Sequence, residues 1–134
     1  MKHVVEVAGL SDRITIESAG TGGWHAGDGP DPRAAAEARR RGVAMQHIAQ
    51  KFTVRDFARF DLILAMDHEN VNDLSGLAPE PAAAAKVRLL RAFDPTASLE
   101  AEVPDPYYGG PDGFAQVFDM VERACRGLLA TLHP

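Results

Sequence analysis

Two periodicities organise the apolar positions of this chain. From Arg13 to Glu17 (RITIE), β-branched residues alternate with polar ones, the period of a half-buried strand, and Ser18-Ala19-Gly20-Thr21-Gly22-Gly23 then breaks into a loop. Leu62 to Met66 (LILAM) is apolar without interruption, which predicts a strand covered on both faces of a parallel sheet. Val87-Arg88-Leu89-Leu90 is a shorter strand candidate. The helical period dominates the end of the chain, where Phe114, Val117, Phe118, Val121, Cys125, Leu128 and Leu132 recur at three- and four-residue steps and predict one face packed on the sheet. Asp31 to Arg41 is alanine-rich, with Pro32 suited to a first turn and Gly42 to a stop. Thr53 followed three residues later by Asp56 predicts a helix start with Phe57 and Phe60 inward, and "GLAPEPAAAA" reads as a loop leading into one helical turn. Strands alternating with helices define an α/β domain with a mostly parallel sheet, spanning residues 1–134 as a single unit. Ligands in such folds bind beyond the C-terminal ends of the strands.

Composition then removes whole classes of function. At 134 residues, 46% hydrophobic and 25% charged, the chain has ordinary globular composition, and no apolar run is long enough for a membrane helix. The first residues, MKHVVE, contain no long apolar stretch of the kind that directs secretion, so the expected location is the cytoplasm. A net charge of −5 argues against nucleic acid as a partner, because phosphate-backbone binding needs a basic face. The five histidines lack paired metal-ligand spacing, so neither a metal nor another cofactor is expected. Cys125 is the only cysteine; on the apolar face of the last helix its expected role is packing, since burial among leucines disfavours a thiolate. Arg39, Arg40 and Arg41 are expected to form a solvated helix end, Arg33 to lie on a helix-start surface, and His68 and Glu69 to face water.

The chemistry-bearing stretch is "EVPDPYYGGPDGF", residues 102–114. Asp-Pro and Gly-Gly are common turn chemistry, and two tyrosines can simply roof a core. Placed at one sheet edge with the Ser18–Trp24 loop and Asp67, the same residues describe something else. Trp24, Tyr107 and Tyr108 become aromatic walls for a flat ring beside the proton donor Asp105.

"ESAGTGGWHAGDGPDPRA", "FDLILAMDHEN" and "PDPYYGGPDGF", in this order, resemble the low-molecular-weight protein tyrosine phosphatase family over essentially the whole chain. The resemblance implies a three-layer α/β fold and metal-free hydrolysis of a phosphate monoester, on a phosphotyrosine protein or small aryl phosphate, through a cysteinyl-phosphate. Asp105 stands at the family's general acid, which protonates the tyrosyl oxygen and later activates water. Trp24, Tyr107 and Tyr108 match its pocket walls, Ser18 and His47 match polar groups that brace the phosphate loop, and Asp67 supports them.

One departure from the family's pattern bears on all of this. The resemblance implies a nucleophilic cysteine and a phosphate-binding arginine separated by five residues, in a loop between the first strand and first helix. No cysteine precedes Cys125 here, and "MKHVVEVAGL" corresponds to the last turns of that first helix. The expectation is therefore a chain without its attacking sulfur, phosphate cradle and central strand, a segment of roughly two dozen residues. Such a chain would re-pair its flanking strands, borrow a strand from a second copy through exposed edges, or exist within a longer protein. Three readings follow. The first is a phosphatase whose recorded start is too late, for which coding sequence upstream of Met1 should supply the cysteine–arginine loop. The second is a non-catalytic remnant that binds a partner or itself. The weakest is an arsenate reductase of the same fold, which needs further cysteines.

Overall fold

A computed structural model describes residues 1–20, 32–43, 50–104 and 112–132. The uninterrupted apolar run becomes strand β1 (Ile63–Ala65), which pairs in parallel with β2 (Val87–Leu89) in the register Ile63↔Val87, Leu64↔Arg88, Ala65↔Leu89. Alternation along β1 explains why every residue is apolar. Ile63 and Ala65 face a cluster with Phe52, Phe57, Leu74 and Ala83, while Leu64 packs on the opposite cluster of Leu90, Val103, Ala124 and Cys125. Two apolar faces require two covers, and a three-layer α/β arrangement results.

Helix α1 (Lys2–Val7) carries buried Val5 and has neither a side-chain cap nor an acidic first turn. Helix α2 (Pro32–Arg40) stops where predicted: Gly42 adopts φ +74°, and the Val43 N–H reaches back to the Ala38 carbonyl. The short α3 (Asp56–Arg59) begins as Thr53 and Asp56 foretold, with the Asp56 carboxylate accepting the Thr53 N–H at 2.9 Å. That N–H first, and Arg59 after it, holds the Asp56 carboxyl below the usual aspartate range. Helix α4 (His68–Leu77) covers one face of the sheet, and "GLAPEPAAAA" does end in one turn, α5 (Pro81–Ala84). A 3-10 turn (Leu90–Phe93) continues from β2 and seats the long α6 (Gly113–Leu132). Among the described residues no helix is long and apolar enough to cross a membrane.

Three expectations need correction. Arg13–Glu17 forms no strand: Ile14 and Ile16 are half-buried and Thr15 and Glu17 exposed, so the alternation survives, but no described backbone pairs beside it. Alternation supplies propensity only, and a ladder also needs a neighbour to donate and accept. The first pairing comes at the isolated parallel bridge Gly20↔Lys51. Second, α6 lies mainly against the 3-10 turn, α1 and α2, touching the sheet through Leu64, and Leu132 at its end is exposed. Third, Arg41 is no solvated helix end. It bonds Glu37 (2.8 Å), Asp119 (2.8 Å) and the Ala115 carbonyl (3.1 Å) and lies over the Phe118 ring, tying α2 to α6. Asp119 chiefly, then Glu37, raises the Arg41 pKa, as expected of a cation held between carboxylates.

Candidate functional site

Strand β1 delivers the chain to Asp67 at the C-terminal edge of the sheet. Asp67 leaves the strand in an extended conformation and caps α4, its carboxylate accepting the Asn70 N–H at 2.8 Å. Short polar side chains suit this position because they satisfy a helix N–H that has no intrahelical acceptor. Asp67→Ala should therefore cost about 1 kcal/mol of stability, read as a lower urea midpoint with an unchanged slope. A loss of more than about 3 kcal/mol would mean that Asp67 holds more than this helix end.

The segment preceding the acid loop docks on the same edge. The Val103 N–H donates to the Met66 carbonyl (2.7 Å), so the chain at 103 extends the end of β1. The Glu102 carboxylate accepts the His68 N–H at 2.7 Å, giving the start of α4 a second acidic partner besides Asp67. Arg91, in the 3-10 turn after β2, donates to the Glu102 carbonyl at 2.8 Å. The His68 ring is exposed as expected, yet its Nε2 lies 3.0 Å from the Glu100 carbonyl and donates to it.

Ser18 lies in the loop after residues 13–17, exposed, and its carbonyl accepts the Gln50 side-chain amide (2.8 Å). Glu17 beside it is held by Arg59 at 2.9 Å, which fixes this stretch to α3. The geometry thus brings Asp67 together with the chain that leads to Asp105. Trp24, His47, Asp105, Tyr107 and Tyr108 lie outside the described residues, as do His25 and His133. Cys125 belongs to the buried core and is not exposed on this rim. It is 2% exposed within the cluster of Leu90, Val103 and Ala124. Sequence reasoning missed Arg91 and Glu102, although an acid three residues ahead of Asp105, on the far side of Val103 and Pro104, was the available signal. Among the described residues no group of three or more His, Cys, Asp or Glu side chains could share a metal ion.

The fold is a parallel α/β sheet whose described rim brings Asp67 of the MD-x-x-N segment beside residues 102–104, which lead to DPYYG. The chain belongs to the low molecular weight phosphotyrosine protein phosphatase family, whose sequence profile it matches over residues 1–134. It is 49% identical over 130 residues to a low molecular weight protein-tyrosine-phosphatase of Streptomyces coelicolor, covering 96% of this chain and 79% of that protein. The human low molecular weight phosphotyrosine protein phosphatase is 36% identical over 133 residues, 98% of this chain and 83% of that one. Among solved structures, a protein tyrosine phosphatase from Entamoeba histolytica with Hepes in the active site superposes with a TM-score of 0.90 at 36% identity, covering 98% of this chain and 83% of that chain.

Proposed function

We propose that this chain carries the proton-donor half of a phosphotyrosine site and does not complete turnover by itself. In the family's reaction a thiolate attacks phosphorus, the P–O bond to tyrosine breaks, and the departing oxygen takes a proton from the acid. The resulting carboxylate then accepts a proton from water, whose oxygen attacks the cysteinyl-phosphate and releases phosphate and the thiolate. Asp105 is the acid in this scheme, Trp24, Tyr107 and Tyr108 hold the ring, and Ser18, His47 and Asp67 brace the surroundings. The observation that carries the proposal is Cys125: the sole sulfhydryl of the sequence is 2% exposed in the core, so the covalent step has no nucleophile in reach. Stopped-time assays with an aryl phosphate and a phosphotyrosine peptide test it, and the expected rate is the uncatalysed one.

A second reading is supported by the backbone. Residues 13–17 carry strand-like alternation without a ladder, and β1 is paired with β2 alone among the described residues. Unpaired strand edges recruit other strands, so self-association or capture of a protein segment is the proposed consequence. Sedimentation across a tenfold or wider range of concentration should show mass increasing with concentration. A constant monomer mass would count against this reading.

A further inference from the structure

Strand β1 has two edges, and β2 occupies one of them. In a parallel ladder, alternate residues turn both their backbone groups to the same side. The Ile63 N–H donates to the Lys86 carbonyl (3.0 Å), so Ile63 and Ala65 face β2 and Leu64 faces the other way. Among the described residues nothing bonds the N–H or the carbonyl of Leu64. Further along that side the Met66 carbonyl accepts the Val103 N–H, which leaves residues 62–64 as the open stretch. The side chains repeat the asymmetry. Ile63 and Ala65 are buried, whereas Leu62 and Leu64 are half-buried and Met66 is 41% exposed. Peptide groups of a strand packed on both faces are normally matched, and an unmatched edge is a template for a further strand.

We propose that the open edge of β1 at residues 62–64 binds an extended segment of another protein, apolar where it meets Leu62, Leu64 and Met66 and carrying lysine or arginine at its ends. The proposal deepens the edge-pairing reading above and rests on it. Charge selects the occupant. Asp61, exposed, precedes the strand and Asp67 follows it, so both ends of the edge are acidic. A second copy of β1 fits poorly. Antiparallel pairing about a two-fold axis at Leu64 sets Asp61 of each copy opposite Asp67 of the other, and like charges directly opposite destabilise a strand pair. A segment with cationic ends meets the same two carboxylates with opposite charge. Main-chain bonds then supply the affinity, the apolar positions the register, and the charged ends the choice of partner.

Amide hydrogen exchange on the full 134-residue chain tests it, with the synthetic peptide Lys-Val-Ile-Val-Ile-Val-Lys as the probe. The peptide should slow exchange of the Leu64 amide about tenfold or more, while the amides of Ala124 and Leu128 in α6 stay within about twofold. The same peptide N-methylated at every valine and isoleucine keeps its side chains but cannot complete a ladder, and should protect nothing. Glutamate in place of both lysines should weaken the protection about threefold or more, and Asp61→Lys should close most of that gap. An unprotected Leu64 amide, equal protection by the methylated peptide, or indifference to the charge of the peptide ends overturns the proposal. Sedimentation separates it from the broader reading. Mass that rises with concentration beside a Leu64 amide unaffected by the peptide overturns the proposal alone, and a constant monomer mass beside a protected Leu64 overturns self-association alone.

Discussion

Gly127→Ala is expected to destabilise the fold by about 2 kcal/mol or more, against the direction of helix propensity. Gly127 lies within α6 where that helix crosses the 3-10 turn, and a methyl group there would stand 1.9 Å from the Phe93 carbonyl oxygen and 3.0 Å from its carbon. Both are backbone atoms, so no side-chain rotation relieves the overlap. Helix α6 must withdraw, loosening Leu90, Ala124 and Cys125 together. Gly76, in α4, is the internal control. Nothing lies within 4 Å of its added Cβ, and Gly76→Ala should be neutral or stabilising by up to about 1 kcal/mol. Urea unfolding of the two variants separates packing from propensity, and equal midpoints would show that the close approach of α6 is wrong.

The second large effect lies at the same seam. Asp94 is 2% exposed, and its carboxylate accepts the Thr96 N–H (2.8 Å), the Thr96 hydroxyl (2.7 Å) and Arg123 Nε (3.3 Å). Asp94→Ala leaves these donors unmatched and should cost about 2 kcal/mol at neutral pH. The Thr96 hydroxyl foremost, then its N–H and Arg123, lowers the Asp94 pKa below the usual aspartate value. A carboxyl with a depressed folded-state pKa binds its proton more readily in the unfolded chain. Its contribution is therefore complete above the unfolded value near 3.9 and fades as pH falls through the lower folded value. The stability gap between the parent and Asp94→Asn should accordingly narrow below about pH 4. A gap constant from pH 7 to pH 2 would contradict the assignment.

Periodic segments were legible because one physical demand controls them. LILAM had to be covered on both faces, and Leu64 meets one cluster while Ile63 and Ala65 meet the other. The stops at Gly42 and the start at Asp56 were readable from local chemistry that acts within three or four residues. RITIE misled for the opposite reason, since its alternation is local but a ladder is a property of two neighbouring strands. Arg41 misled because its partners Asp119 and Ala115 are over seventy positions away, where no window of sequence can see them. At the site, Asp67 was placed correctly at the sheet edge, but its visible task is a helix cap. The Arg91–Glu102 contact was unreadable, because it depends on where β2 ends and on which carbonyl the acid-loop approach turns toward it.

The measurement that bears most directly on the account is turnover of phosphotyrosine by the purified 134-residue chain, its mass verified and contaminating phosphatases excluded. With its only thiol buried at Cys125, the chain should release phosphate no faster than buffer. Hydrolysis at an enzymatic rate, abolished by Asp105→Asn, would contradict it.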